Sequence, residues 1–249
     1  MSRNYRSPGI ILQVRSSGEK NRLIYILTPS HGIVRALAYG AASPKSKLRS
    51  GTQSSYHGLM LFYTYPAKQF TKLLDMEIQQ EFSGLRRETR KLYAAGLISE
   101  ILLAAHGGNV DDSRAYDLTL EYLTYLDKTE PERILCLTNL TLWRLLEIIG
   151  EQPDPGRDIK TLHAIPRNVN VQYSYTEGGF FAQLTDSRHP PIQPPERVFL
   201  ENEPMRTLGE NRRIILPNGA DKRLFMFLCS LFEYSIGRRL RTLSAGILP

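Results

Sequence analysis

The sequence predicts an α+β protein with two domains: an N-terminal five-stranded OB-type β-barrel over residues 1–80 and a mostly α-helical domain over residues 81–249. Five short runs of alternating apolar and polar residues fall within the first 80 positions. After Ser83-Gly84 the apolar period changes from two residues to the helical value of about 3.6. Residues 151–218 lose this periodicity, which predicts an irregular lobe with a β-hairpin inside the helical domain.

The five predicted strands cover residues 9–15, 22–28, 33–39, 55–65 and 69–79. Pro29-Ser30-His31-Gly32 supplies a turn between the second and third strands. Ala36 and Ala38 leave one face of the third strand small, which suits a curved sheet, and Gly58 predicts a bend or bulge in the fourth. The break between strands three and four lies where an OB-type barrel has its variable connector. Another five-stranded barrel or a meander fits the same pattern.

Helical periodicity predicts the elements of the second domain. The expected helices cover residues 85–106, a segment capped by Asp111-Asp112-Ser113, a segment from Thr129 to Gly150, a short helix at 195–208 and a last helix at 220–243. The segment VQYSYTEGGFFAQL at 171–184 predicts a hairpin that turns around Glu177-Gly178-Gly179. This hairpin would form the ordered part of the irregular lobe.

Positive charge is concentrated in the first third of the chain. Residues 1–80 hold 11 Lys and Arg against 3 Asp and Glu, whereas residues 81–249 hold 21 against 22, within a total net charge of +7. A uniformly basic chain can be basic for solubility alone. A neutral body with a basic N-terminal domain indicates that this domain meets a polyanion.

The segment GAASPKSKLRSGTQ at residues 40–53, here called the basic connector, carries three cations on alternate residues, Lys45, Lys47 and Arg49. No acidic residue lies between Glu19 and Asp75. In an extended chain the three cations would lie on one side, about 6–7 Å apart, near the phosphate spacing of a single strand. A merely solvated loop is the alternative interpretation.

Four barrel cations and several aromatic residues extend this candidate site. The predicted DNA-binding residues are Lys45, Lys47, Arg49, Arg35, Arg22, Lys20 and Arg15. Candidate rings for base stacking are Tyr39, Tyr56, Phe62, Tyr63, Tyr65 and Phe70. For any single ring a place in the barrel core is the better interpretation, because half of each strand faces inward.

Catalytic and metal-binding patterns are absent from the sequence. The five histidines are scattered, and no GxxxxGK[ST], GxGxxG or GxSxG motif occurs. Asp111-Asp112 is better explained as a helix cap, and the carboxylates of Asp75 and Glu77 as a solvated strand face. We therefore expect no enzyme, no catalytic residue, no cofactor and no bound metal.

The expected location is the reducing cytoplasm, in association with the nucleoid. Cys136 and Cys229 lie in helical apolar patterns and are expected to be buried free thiols. The longest apolar stretch, LYAAGLISEILLAA, is interrupted by Glu100 and is too short to cross a bilayer. The apolar run after Arg6 is too short for a signal-peptide core, so no membrane association is expected.

A family resemblance rests on an ordered set of N-terminal residues. These are Gly18-Glu19, Arg22-Leu23, Leu27-Thr28-Pro29, His31-Gly32, Ala38-x-Gly40-Ala41 and Pro44-Lys45-Ser46-x-Leu48-Arg49. Near the other end stands Gly237-Arg238-Arg239-Leu240-Arg241-Thr242-Leu243. Together they resemble the bacterial RecO family of recombination-repair proteins, specifically over roughly the first 80 and the last 20 residues.

The resemblance implies an OB-fold domain followed by a helical domain that hydrolyses no nucleotide. It implies binding of single-stranded and double-stranded DNA, annealing of complementary strands, and a mediator role with RecR that loads RecA onto strands coated by the single-strand binding protein SSB. The C-terminal tail of SSB is the implied protein ligand, acidic and ending in an apolar residue. No small-molecule substrate is implied.

The chain departs from many members of that family in one respect. They carry two CxxC pairs that bind zinc between the third long helix and the last helices, whereas residues 150–218 here contain no cysteine. His163 and His189 have no partner in sequence, so no structural zinc is expected. We expect the hairpin, held by Phe180, Phe181 and Leu184, to replace the zinc lobe.

The sequence leaves the SSB contact and the nucleic acid itself open. Arg133 and Arg144 near Ile134 and Leu145, or Lys222 and Arg223 near Leu224, would each pair cations with apolar residues for an acidic tail. An OB-type RNA-binding module is the alternative function, because stacking and phosphate contacts serve both nucleic acids. A nuclease or a scaffold protein without DNA binding fits less well.

Overall fold

The computed structural model describes residues 4–65, 70–105, 112–182, 191–202, 208, 216–217 and 219–249. The chain forms two compact units, Met1–Lys128 and Thr129–Pro249. The first unit therefore contains the barrel and the two helices that follow it. The predicted boundary at residue 80 marks the change from strands to helices, whereas the two compact units divide at residue 128. A DNA-binding domain that ends at residue 80 therefore stays a prediction.

The N-terminal strands form the closed barrel that the sequence predicts. They are β1 (Asn4–Ser17), β2 (Asn21–Thr28), β3 (Gly32–Ala38), β4 (His57–Tyr65) and β5 (Phe70–Gln80). Their order around the barrel is β1-β2-β3-β5-β4, and only the β3–β5 pair is parallel. This arrangement confirms the OB-type prediction. β1 begins earlier than predicted because its first half pairs with β4 and its second half with β2, across a bulge between Ile11 and Gln13.

The barrel interior is filled by the inward half of each strand. Its buried core includes Ile11, Ile24, Ile26, Val34, Ala36, Ala38, Met60, Phe62 and Leu73. Each large side chain removed from water stabilises the fold by about 1.5–3 kcal/mol. The small pair Ala36 and Ala38 is fully buried, as a crowded curved face requires. Gly58 is confirmed at a bulge, where a Cβ atom would approach the Glu77 carbonyl oxygen too closely for any other residue.

Helices close the end of the barrel that carries the β2–β3 turn. A 3₁₀ turn at Ser83–Arg87 leads into α2 (Thr89–Ala105), and α3 (Asp112–Lys128) follows. The His57 imidazole Nε2 and the Tyr116 hydroxyl lie 2.8 Å apart in a buried hydrogen bond between β4 and α3. Buried Lys91 donates to the Asp127 carbonyl at 3.0 Å and ties the two helices together. The opposite end of the barrel is left to the loops.

The second unit is built on two long helices. They are α4 (Ile134–Ile148), which follows a 3₁₀ turn at Pro131–Arg133, and the last long helix, here α6 (Ala220–Ile236). The short helix α5 (Pro194–Asn202) packs near them, and buried Trp143 donates its indole N–H to the Leu200 carbonyl at 3.1 Å. Cys136 and Cys229 are buried free thiols, as predicted. α6 ends at Ile236 and not at residue 243, because Gly237 turns left-handed with φ at 66° and ends the helix.

The irregular lobe contains the predicted hairpin and one unexpected buried cation. β6 (Gln172–Ser174) pairs with β7 (Gly179–Phe181), and Phe180 and Phe181 are buried, whereas Leu184 lies outside the described residues. The guanidinium of Arg197 is fully buried and donates to three lobe carbonyls, those of Ile165, Pro166 and Val169, at 3.2, 2.7 and 3.2 Å. It also pairs with Glu201 at 3.1 Å.

Aspartate and backbone contacts complete the lobe. Asp158 accepts hydrogen bonds from the backbone N–H groups of Lys160, Thr161 and Ala182, and the bond from Ala182 makes the largest contribution to lowering the pKa of this carboxyl. Within the described ranges, no three His, Cys, Asp or Glu side chains lie together as metal ligands. The absence of zinc itself stays a prediction.

The buried guanidinium generates the first testable expectation. Arg197→Met removes the donors of three lobe carbonyls and leaves Glu201 without its closest partner, so the second unit should lose about 3–5 kcal/mol of stability in urea unfolding. Arg167→Met is the matched control, because exposed Arg167 bonds the same Glu201 at 3.4 Å. Its loss should stay below about 1 kcal/mol. Equal losses in the two variants would contradict the assigned role of Arg197.

The buried histidine generates a pH dependence. Burial lowers the pKa of His57 below its ordinary value, so the unfolded chain binds a proton at higher pH than the folded chain does. This contribution to stability is complete above about pH 7 and is lost as the pH falls through the folded pKa. His57→Gln should flatten the fall in unfolding free energy that begins as the pH drops below about 6.5, the ordinary pKa of histidine. An unchanged slope in His57→Gln would refute the prediction.

Candidate nucleic-acid interface

The basic connector is fixed to the β1–β2 turn at the end of the barrel away from α2 and α3. The backbone N–H of Ala42 donates to the Lys20 carbonyl at 3.0 Å, and that of Gly40 to the Asn21 side-chain oxygen at 2.9 Å. These two bonds place Lys20 beside the start of the connector. Two loops that are far apart in sequence therefore form one surface.

The connector is not extended, and this part of the sequence-based interpretation is wrong. It is a series of turns that ends in the one-turn helix α1 (Leu48–Gly51), with Lys47 at the helix start in helical geometry. Residues two apart on a helix do not face the same side, so Lys47 and Arg49 diverge. The connector bends because Leu48 packs against the barrel core. In an extended segment the Leu48 side chain would stay exposed to water.

Arg22 holds this helix in place from β2. Its Nη1 donates to the Arg49 carbonyl at 3.0 Å, the Thr52 carbonyl at 2.9 Å and the Thr52 hydroxyl at 2.8 Å. The guanidinium thus supplies hydrogen-bond donors to the carbonyls at the end of α1, where a helix favours positive charge. Arg22 positions the basic connector, and its direct contact with DNA stays a prediction.

The other six predicted cations are exposed. Lys20, Lys45, Lys47 and Arg49 belong to the two loops, whereas Arg15 and Arg35 lie on the outer face of the barrel. Among the residues that the structure describes, none of the six has a carboxylate within 4.0 Å. Glu19, in the β1–β2 turn, is the acid nearest to them in sequence. Their charge is therefore available to an anionic partner.

Strand register places Arg15 and Arg35 on one face. Arg15 is opposite Leu23, Leu23 is opposite Leu37, and Arg35 is opposite Tyr25. Side chains that are directly opposite share a face, so β1, β2 and β3 present both cations outward. Arg15 lies over the Tyr25 ring, 5.5 Å from its centroid, and its Nε donates to Gln13 at 2.8 Å.

The candidate aromatic residues separate into two groups. Tyr56 and Phe62 are buried in the barrel core, where the sequence favoured them. Tyr39 is 52% exposed, and Tyr63, Tyr65 and Phe70 are partly exposed. The second group remains accessible to a ligand.

Lys72 is a cation that the sequence interpretation missed. Its ammonium lies 4.9 Å from the ring centroids of both Tyr39 and Tyr65, and it donates to the Tyr65 hydroxyl at 3.0 Å. That hydrogen bond is the main reason why the pKa of Lys72 is raised. The signal was present as alternation in β5, which sets Phe70 and Lys72 on the same side of the strand.

A second concave surface lies in the other unit, between the hairpin and α6. It is a cavity of about 470 Å³, lined by apolar and aromatic side chains that include Tyr173, Tyr175, Ile192, Met226 and Phe227. Lys222 and Arg223 line it as well, and Arg223 pairs with buried Glu196 at 2.7 Å. Burial raises the pKa of Tyr173 to about 12, so this phenol stays neutral.

Two family models match most of the chain, and they divide it at residues 83–85 and not at the boundary between the two compact units. The family model "Recombination protein O N terminal" matches residues 1–82, and "Recombination protein O C terminal" matches residues 86–244. The chain belongs to the RecO family. This places it among RecO-family DNA repair proteins, and the two matches meet at the 3₁₀ turn of Ser83–Arg87.

Individual relatives carry the name "DNA repair protein RecO". The "DNA repair protein RecO" of Gloeothece citriformis is 28% identical over 207 residues, which is 81% of this chain and 72% of the relative. Those of Synechocystis sp. and Moorella thermoacetica are 32% and 34% identical over 51% and 60% of this chain. The matches cover 46% and 54% of those two relatives, so the chain spans about half to three quarters of the three lengths.

In this RecO-family chain, the described helices include none that is long and apolar enough to cross a membrane. The basic connector lies within the first of the two matched ranges. It docks on the β1–β2 turn and is held by Arg22, so it has a defined shape at the loop end of the barrel.

Proposed function

We propose that the chain is a recombination-repair mediator. It binds single-stranded and double-stranded DNA, anneals complementary strands, and together with RecR helps to load RecA onto DNA coated by SSB. The membership in the RecO family supports the mediator role, and the barrel end with its exposed cations supports DNA binding. The corresponding location is the cytoplasm, at the nucleoid.

One observation carries the proposal. Six exposed cations without a described carboxylate partner lie on the loop end and outer face of a closed barrel, while helices cover the end with the β2–β3 turn. The proposed DNA-binding residues are Lys45, Lys47, Arg49, Arg35, Lys20 and Arg15, with Arg22 acting through the connector it holds. Because the connector is folded, its cations contact phosphates from different sides and do not follow one straight backbone.

Annealing by this surface needs no covalent step. Two strands repel each other through their phosphates, and a cationic surface that neutralises phosphates lowers that repulsion while the base edges remain free to pair. A protein that acts in this way needs no catalytic residue, and the expectation that the chain is not an enzyme stays a prediction.

The cavity of the second unit is the proposed site for the SSB tail. An acidic tail with an apolar end needs an apolar pocket beside cations, and this cavity offers Met226 and Phe227 beside Lys222 and Arg223. The alternative position near Arg133 and Arg144 is less suited, because Ile134 and Leu145 are buried and provide no accessible apolar surface. The contact with RecR follows from the family alone.

The connector cations are tested by charge reversal. The triple variant Lys45→Glu, Lys47→Glu, Arg49→Glu should abolish annealing of complementary oligonucleotides, measured by fluorescence without ATP over a salt series. If about five phosphates of a single strand are neutralised, the slope of log K against log salt should be near −3.5 in the parent protein. The slope should become shallower by about 0.7 for each phosphate that the variant no longer neutralises.

The matched control reverses three exposed cations that belong neither to the β1–β2 turn nor to the connector, Arg87, Lys128 and Lys160, and changes the net charge equally. It should anneal like the parent. A connector variant that also anneals like the parent would refute the assignment of Lys45, Lys47 and Arg49 as DNA-binding residues. Competition between single-stranded DNA and RNA of equal length separates the alternatives, since a preference for RNA favours the RNA-binding module.

The tail site is tested by titration of a synthetic SSB C-terminal peptide. The double variant Lys222→Glu, Met226→Asp places two negative charges against the acidic tail, so binding should weaken by at least about tenfold. Arg133→Glu serves as the control for charge at the alternative position and should leave the affinity unchanged. The reverse result, with Arg133→Glu weakening binding alone, would move the site to α4.

A further inference from the structure

The outer face of the β4–β5 pair carries three aromatic rings and one cation, arranged as two neighbouring cross-strand pairs. Tyr63 is directly opposite Lys72, and Tyr65 is directly opposite Phe70. The Tyr63 and Tyr65 ring centroids lie 4.4 Å apart in an edge-on arrangement, and those of Tyr65 and Phe70 lie 6.0 Å apart. These contacts fix the orientation of the rings before any ligand binds.

Tyr39, at the start of the connector, completes this group. The parallel pairing of β3 with β5 puts Leu37 opposite Lys72, and Tyr39 is two residues further on the same face. The ammonium of Lys72 then lies between the rings of Tyr39 and Tyr65, 4.9 Å from each centroid. The lysine supports Tyr39 from one side and leaves the ring 52% exposed.

The four rings around Lys72 lie outside the core of the barrel. In the described part of the first unit, the barrel core cluster includes Phe62, Tyr56 and the partly buried Tyr5, but none of the four rings around Lys72. Their apolar area therefore remains at the surface, where a contiguous aromatic patch usually marks a binding site. We call this patch, Tyr39, Tyr63, Tyr65, Phe70 and Lys72, the aromatic platform.

The surrounding charge identifies the kind of ligand. The platform continues on β3 and β1 into the face of Arg35 and Arg15, and the connector cations begin within six residues of Tyr39. Asp75 also faces outward, opposite Leu61, and because β5 runs parallel to β3 it lies on the connector side of Lys72, about 10 Å along β5. Flat apolar rings among phosphate-binding cations match a nucleobase attached to a sugar-phosphate chain.

We propose, on the basis of the proposed DNA binding, that the aromatic platform is a stacking site for unpaired nucleobases and makes the interface prefer single strands. A ring can stack only on a base whose face is free, and both faces of a base in a duplex are covered by its neighbours. The phosphate contacts of the connector serve either form of DNA, whereas the platform recognises the unpaired one.

The platform also gives annealing a direction. A base that leaves the platform to pair with a complementary strand becomes stacked within the new duplex and cannot return. The duplex then keeps only its phosphate contacts, so it dissociates more readily than the single strand did. Product release is thereby coupled to pairing without any energy-yielding reaction.

The test compares oligothymidylate with an abasic oligonucleotide of the same length, which has the same phosphates but no bases. Affinities are measured by fluorescence anisotropy over a salt series with the full chain. The parent protein should bind the oligothymidylate more tightly by about 5- to 100-fold. Tyr39→Ala should remove most of this ratio and leave the affinity for the abasic strand and the salt slope unchanged.

Two further variants separate stacking from a change in fold. Tyr39→Phe keeps the ring and should retain the preference for bases, and Tyr65→Leu keeps apolar volume but should reduce it. Tyr234→Ala, at a tyrosine that is 59% exposed in the second unit, is the control and should match the parent.

The outcomes distinguish this inference from the function on which it rests. Salt-dependent binding with equal affinity for both oligonucleotides, or an unchanged ratio in Tyr39→Ala, overturns the stacking site and leaves the DNA-binding proposal intact. If neither oligonucleotide binds the parent protein at any salt concentration, the DNA-binding proposal fails and the stacking site fails with it.

Discussion

Closure of the barrel rests on a short parallel pairing between β3 and β5, at Ala36 opposite Thr71 and Leu37 opposite Lys72. Among the described residues, this pairing alone joins the three-stranded meander to the β4–β5 hairpin on that side. It sets the cationic face of Arg15 and Arg35 beside the aromatic rings of the hairpin. The small side chains of Ala36 and Ala38 permit the tight approach, since both are fully buried in the core.

The loop end concentrates like charges, which repel one another in the absence of a ligand. Anchoring contacts that are not charge pairs oppose this repulsion. Leu48 packs on the core, Ala42 and Gly40 bond to the β1–β2 turn, and the Arg22 guanidinium bonds the end of α1 through backbone oxygens and a hydroxyl. Because the anchors leave the connector's ammonium and guanidinium groups unpaired among described residues, the surface is held ready for an anion.

The sequence predicted the barrel well because strand alternation is local, and the bounds of β2 to β5 agree with the structure to within two residues, whereas β1 begins five residues earlier than predicted. Gly58 and the Ala36–Ala38 pair were readable for the same reason. The shape of the connector could not be predicted in this way, because α1 is stabilised by Arg22, which lies 27 and 30 residues before its partners Arg49 and Thr52. Lys72 was missed because its role depends on the β3–β5 pairing, and Arg197 because its partners lie 28 to 32 residues away. The assigned DNA contacts stay predictions.

The lobe is cross-linked by the hydrogen bonds of the Arg197 guanidinium. Cysteine thiolates that hold a metal can be oxidised, and a chelator can remove the metal from them. Their affinity for the metal also falls in acid. A guanidinium keeps its charge at every physiological pH and reacts with neither oxidants nor chelators. The lobe beside α6 should therefore keep its shape under the oxidative conditions that damage chromosomes, when breaks in DNA are most frequent.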